Sequence, residues 1–251
     1  MKELENKVAI ITGAGSGIGK STALLFARNG AKLVLTDINE DHLVQVVGEV
    51  KALGAEAVGV TADSSKAEDN KEIADIALEV YGRLDIAVNN AGIGGAIATV
   101  GEYDVQEWQK VININLNGVF YGMRYQIPAI EKTSGKGSII NVASILGSVG
   151  FAHSAAYVAA KHGVVGLTKT AAIEYSAKGI RINSVGPGFI KTPLVQSALP
   201  QEALDGLVAL HPIGRLGEPE EVAEVFLFLA SERSSFVTGS YYTVDGGYTS
   251  L

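Results

Sequence analysis

Tyr157 and Lys161 stand four residues apart in the run Ser154-Ala155-Ala156-Tyr157-Val158-Ala159-Ala160-Lys161-His162-Gly163. In a helix that spacing puts a phenol and an ammonium on one face, one turn apart. A free tyrosine titrates near pH ~10, too high for ready proton exchange at neutral pH. A neighbouring cation favours the phenolate and draws the pKa toward the range where general acid–base work is efficient. The competing reading is a solvated surface pair, but the flanking Ala and Gly belong to a buried helix.

A second run able to do chemistry is Thr12-Gly13-Ala14-Gly15-Ser16-Gly17-Ile18-Gly19, between an apolar strand-like segment and a helical pattern. Glycines let the backbone turn sharply and approach a pyrophosphate, and the start of the following helix offers unpaired N–H groups to negative charge. The run is not G-x-G-x-x-G, whose third glycine would fall on Ile18 or Lys20. Nor is it a P-loop, because the glycine required five residues before Gly19 is Ala14.

Asp37 ends the second apolar run, about 20 residues beyond the glycines, where an acid accepts hydrogen bonds from adenosine ribose hydroxyls and repels a 2′-phosphate. No Arg or Lys stands at Ala14, Gly15, Ser16, Ile38 or Asn39 to offset it, so NAD is expected over NADP. Capping of the next helix is the competing role for Asp37. Asp63, after the third strand, is placed to meet the adenine edge, with capping or turn chemistry as an equal alternative.

The elements that must position these residues alternate strictly. Val8–Thr12, Leu33–Asp37, Ala57–Ala62, Leu84–Asn89, Gly137–Val142, Arg181–Val185 and Tyr241–Val244 read as strands, most of them continuous apolar runs suited to burial on both faces. Helical patterns cover Gly17–Asn29, Glu40–Leu53, Lys66–Tyr81, Val105–Ile130, Ala155–Ala177, Gln201–Leu210 and Pro219–Ala230. The alternation predicts an α/β fold: one Rossmann-type, doubly wound parallel sheet flanked by helices on both faces, over residues 1–251. Ligands in such sheets bind beyond the carboxyl ends of the strands.

Composition agrees with one well-filled domain: 251 residues, 47% hydrophobic. The formal net charge of −7 argues against nucleic-acid or anionic-membrane partners. The apolar runs are strand-sized, so no membrane span is expected. The stretch from Met1 to Lys7 lacks the apolar core of a signal peptide, and a cytoplasmic protein is expected. Cysteine is absent, which excludes disulfides, thiol nucleophiles and cysteine-ligated metals. No cluster has metal-ligand spacing, so no metal is expected. His42 and His211 read as surface residues and His162 as off the Lys161 face, all three with structural or solvent roles. His153, between Ser144 and Tyr157, reads either as shaping a substrate or as a cap.

Four signatures agree in order and spacing: Thr12-Gly13-x-x-x-Gly17-x-Gly19, Asn89-Asn90-Ala91-Gly92, Ser144 thirteen residues before Tyr157, and Tyr157-x-x-x-Lys161. With Pro187-Gly188-x-x-x-Thr192 and Val244-Asp245-Gly246-Gly247, they resemble the short-chain dehydrogenase/reductase family over essentially the whole chain. The resemblance implies a catalytic tetrad of Asn115, Ser144, Tyr157 and Lys161. Asn113 and Asn117 flank Asn115 on other helix faces. Ser144 would donate a hydrogen bond to a ketone oxygen, Tyr157 would protonate it, and Lys161 would lower the phenol pKa and hold the nicotinamide ribose. Asn115 would hold a water that relays protons.

The implied cofactor set is Gly13, Ser16, Gly17, Ile18, Gly19, Asp37, Ile38, Asp63, Ser64, Asn90, Ala91, Gly92, Tyr157, Lys161, Pro187, Gly188, Ile190 and Thr192. Ile145, Leu146, His153, Phe189, Leu194 and Val195, with Leu199, would line an apolar substrate pocket ahead of a substrate segment at about 190–212. That pocket, without a cluster of cations, suits simple ketones and secondary alcohols. Within the family the chain looks most like bacterial NAD-dependent secondary alcohol dehydrogenases and carbonyl reductases. A 3-oxoacyl-(acyl-carrier-protein) reductase and a non-catalytic NAD sensor are the competing readings. Small residues on 105–130 and 155–177 (Gly118, Gly122, Ala159, Gly163, Gly166) fit close helix packing, and the resemblance suggests a homotetramer, with Leu251 near an interface.

Overall fold

The computed structural model describes residues 2–196 and 201–250, so Leu199 and Leu251 lie outside the described residues. Seven strands form one parallel sheet: β1 Val8–Thr12, β2 Lys32–Asp37, β3 Ala57–Thr61, β4 Ile86–Asn89, β5 Gly137–Val142, β6 Ile180–Pro187 and β7 Tyr241–Val244. Their order is β3-β2-β1-β4-β5-β6-β7. The chain winds outward one way from β1, then returns past it to β4 and winds the other way. The gap between β1 and β4 is thus the switch point at which such sheets take ligands.

Strand burial follows from position. β1 is buried at all five residues, whereas the edge strand β3 alternates. Successive β1 residues feed opposite faces. Ala9 and Ile11 join a core with Phe26 and Phe226, under α1 (Gly17–Arg28), α2 (Glu40–Ala52) and α9 (Pro219–Ala230). Val8 and Ile10 join a second core with Ile73, Ile130 and Val164, under α3 (Ala67–Tyr81), α5 (Gly118–Thr133) and α6 (Ala155–Tyr175).

The long helix expected over 105–130 is three pieces. α4 (Val105–Ile112) gives way to a π-helical turn, Asn113–Asn117, before α5 begins. Three Asn in five residues are poor α-helix formers, and the wider turn accommodates them. β6 runs longer than expected because Pro187 still pairs with Val244 of β7. Beyond β6 lie α7 (Pro193–Gln196) and α8 (Gln201–Ala209). Among the described residues no helix is long and apolar enough to cross a membrane.

Candidate active site

A cavity of about 590 Å³ opens at the carboxyl ends of the strands. At one end the glycine run turns from β1 into α1. Gly13 and Gly17 have φ of +63° and +52°, and a Cβ on Gly17 would press on the Thr192 methyl at 3.0 Å. A Cβ on Gly19 would collide with the Gly13 carbonyl. Ser16 precedes α1 without capping it through its side chain, and the first N–H groups of a helix have no intrahelical partner.

Asp37 secures this loop. One carboxylate oxygen accepts from Gly15 N at 2.8 Å and the other from Asn39 N at 2.9 Å, while the side chain still lines the cleft with Ile38. Asp63 also lines the cleft but accepts from the Ser65 amide and hydroxyl at 2.9 and 2.7 Å, which is turn chemistry. Across the switch point, Thr12 Oγ1 accepts the amides of both Asn90 and Ala91 at 3.0 Å. Asn90 Nδ2 returns a bond to the Thr12 carbonyl at 2.9 Å.

At the other end, α6 presents Tyr157 and Lys161. Lys161 is 3% exposed; its Nζ donates to the Val142 carbonyl at 2.7 Å and lies 5.4 Å from the centre of the Tyr157 ring. Burial pushes the Lys161 ammonium down to about 8. Burial also pushes the Tyr157 phenol above its usual range, while a hydrogen bond with Ser144 pulls the other way. The expectation that Lys161 draws the phenol down is thus not what sets its direction here: loss of solvent outweighs it. Ser144 ends the segment after β5, and its Oγ accepts from Leu146 N at 3.2 Å.

Asn115 sits in the π turn, fully buried. Its Oδ1 accepts from Ile93 N at 2.9 Å and its Nδ2 donates to the Ile93 carbonyl at 2.8 Å. A Cβ on Gly92 would lie 3.2 Å from Asn115 Oδ1 and 3.8 Å from Lys161 Nζ, so Gly92 separates the two. Both Asn115 side-chain groups thus bond the loop after β4. Asn117 donates to Asn113 at 2.9 Å, and the two satisfy each other on the outer face.

Of the residues expected at the site, Gly19, Asn115, Ile145, Leu146, His153 and Phe189 do not line the cleft; the other described ones do. Ile145 and Leu146 are buried in a turn whose Gly147 packs on the Lys161 carbonyl and Val165. His153 is exposed on left-handed backbone, φ +64°, and its carbonyl accepts from Ala98 N at 3.2 Å. Phe189 instead stacks with His211, Tyr248 and Phe151. His211 is buried, not at the surface: Nδ1 meets the Leu207 carbonyl at 2.8 Å and Nε2 accepts from Phe189 N at 3.3 Å. Lys110 and Ile114 line the cleft without having been expected there. Their four-residue spacing ahead of Asn115 is the signal that could have found them.

Residues 13–249 match the family model described as Enoyl-(Acyl carrier protein) reductase. The chain is 54% identical over 248 residues to cyclohexanol dehydrogenase of Acinetobacter sp. (strain SE19), covering 99% of this chain and 97% of that protein. It is 43% identical to a 3-oxoacyl-(acyl-carrier-protein) reductase of Thermotoga maritima, covering 97% and 98%. The crystal structure of levodione reductase superposes with a TM-score of 0.96 at 36% identity, covering 99% of each chain.

The chain belongs to the short-chain dehydrogenase/reductase family. This short-chain dehydrogenase is therefore an oxidoreductase, and the family implies a nicotinamide cofactor. The residues present fit such a group. The glycine run brings bare backbone and helix N–H groups to one end of the cleft, and Asp37 offers a carboxylate beyond it. Tyr157, Lys161 and Ser144 line the same cleft as Pro187, Gly188, Ile190 and Thr192, the last of them beside Gly17.

Proposed function

We propose that this short-chain dehydrogenase interconverts a neutral cyclic secondary alcohol, of the cyclohexanol kind, with its ketone, using NAD(H). The observation that carries the reading is that Ser144, Tyr157 and buried Lys161 line one cleft, with Lys161 Nζ 5.4 Å from the centre of the Tyr157 ring. The relative at 54% identity, which acts on cyclohexanol by its name, supports the substrate class.

When bound, the nicotinamide supplies or accepts the hydride. As phenolate, Tyr157 would take the hydroxyl proton during oxidation, and as phenol it would return it during reduction. Ser144 donates a hydrogen bond to the substrate oxygen and holds the developing alkoxide. Lys161 would hold the nicotinamide ribose and keep positive charge beside the phenol. Asn115 fixes the backbone at Ile93, so that the loop after β4 holds one wall. Ile190 and Thr192, which line the cleft, would hold the carboxamide. Ile93, Leu194 and Val195 offer the substrate no charge. Asp37 would receive the adenosine ribose hydroxyls and disfavour a 2′-phosphate.

A second reading, 3-oxoacyl thioester reduction, is favoured by the 43% identity to a reductase of that class. Steady-state rates with cyclohexanol, cyclohexanone and acetoacetyl thioesters, each with both nicotinamide cofactors, separate the two. Cyclohexanol oxidation with NAD is expected; NADPH-preferring thioester reduction without alcohol turnover would overturn the first reading. We also propose a homotetramer, supported by exposed apolar side chains on α5 and α6, among them Phe120 and Ile173, the latter 84% exposed. Light scattering from a monomer would count against it.

A further inference from the structure

We infer that Tyr241 is a positioning residue for Ser144, an inference that rests on Ser144 acting on the substrate oxygen as proposed above. Tyr241 opens β7, the edge strand, where its Cα pairs with Ser184 of β6. Its ring crosses β6 and its hydroxyl donates to the Ser144 carbonyl, beyond β5, at 2.6 Å. The passage exists because position 186 is glycine. A Cβ there would collide with the Tyr241 hydroxyl and stand 2.6 Å from ring carbons Cε2 and Cζ. A long-range hydrogen bond and the one side-chain absence that lets it form thus point to the same carbonyl.

That carbonyl also accepts from Gly147 N at 2.8 Å, which closes the turn after β5. With two donors on its oxygen, the Ser144–Ile145 peptide plane is held. The Leu146 amide occupies one acceptor site on Ser144 Oγ, which orients the hydroxyl and leaves its proton for another acceptor. Burial lifts the Tyr241 phenol above its usual range, so it stays a neutral donor across working pH. Tyr241 touches neither the cleft nor the reacting atoms; it acts through the backbone of the residue that does.

The test compares Tyr241→Phe, Ser144→Ala, the double variant and Tyr242→Phe as a control on the same strand. Cyclohexanol oxidation is followed by NADH fluorescence, with melting temperatures alongside. Tyr241→Phe is expected to lower kcat about tenfold, the scale of a modest misplacement of a reacting group. KM for NAD should change less than twofold and Tyr242→Phe should leave kcat unchanged. In the Ser144→Ala background the Tyr241 substitution should add less than twofold.

A wild-type kcat in Tyr241→Phe, a loss falling on the KM for NAD, or losses that multiply in the double variant would each overturn the inference. Where Ser144→Ala falls below detection, the kcat-against-KM split of the single variant decides. Wild-type kcat in Ser144→Ala would remove the functional reading and this inference together, whereas a slow Ser144→Ala beside a normal Tyr241→Phe removes the inference alone.

Discussion

Lys161 Nζ lies 5.4 Å from the centre of the Tyr157 ring and donates to the Val142 carbonyl at 2.7 Å. The cation is held by backbone rather than by a carboxylate, so its charge is not neutralised locally and remains available to a phenolate or a ribose. Tyr157→Phe keeps the ring and deletes the proton carrier. It is expected to lower kcat by about 10²- to 10⁴-fold, the usual worth of a general acid–base group. Cofactor affinity, read by fluorescence titration, should change little. Wild-type turnover in this variant would exclude the assigned role.

The same lysine leaves a mark on stability. Its folded pKa, about 8, lies below the ordinary 10.5, so between those values the unfolded chain binds the proton more tightly. Unfolding free energy from this group therefore rises with pH across that window and is lowest below pH about 8. Lys161→Met lacks the effect. Urea denaturation at pH 7 and pH 10 should show the parent gaining on the variant by on the order of 2 kcal/mol as pH rises. Equal differences at the two pH values would contradict the burial argument.

How much of this was legible beforehand depends on range in sequence. The strands were readable because burial on both faces demands continuous apolar runs, and the glycine loop because only glycine tolerates its backbone. The spacing of Tyr157 and Lys161 gave their proximity. It could not give the direction of the phenol pKa, which depends on solvent removed by distant segments. The π turn stayed hidden because three Asn signal a weak α-helix without saying how the helix adapts. His211 looks like a surface residue in the sequence because its partners are backbone groups, one of them 22 positions away. Tyr241 lies 97 positions from Ser144, beyond any local pattern.

Asp37 bonds the glycine loop through Gly15 N and faces the cleft with the same carboxylate. Asp37→Ala removes the repulsion of a 2′-phosphate and one support of the loop. The ratio of kcat/KM for NAD over NADP should fall about tenfold or more, chiefly by a loss with NAD. An unchanged ratio would assign Asp37 to the loop alone.

Asn115→Ala would leave the Ile93 N–H and carbonyl without their partners. The cost is about 2 kcal/mol, the penalty for buried groups left unsatisfied. Thermal denaturation should show it together with a lower kcat, since Ile93 borders the cleft. Asn113→Ala, which breaks only an outer-face pair, is the control and should be nearly neutral.

Thr12 Oγ1 gathers two amides from residues 78 and 79 positions along the chain, exactly where the sheet reverses its direction of winding. A dinucleotide lying across that seam would touch both windings at once and brace them against each other. Occupancy and cohesion of the two halves are then one equilibrium. Resistance to heat and to proteolysis should climb with cofactor concentration, by about 2.7 kcal/mol at a hundredfold excess over Kd.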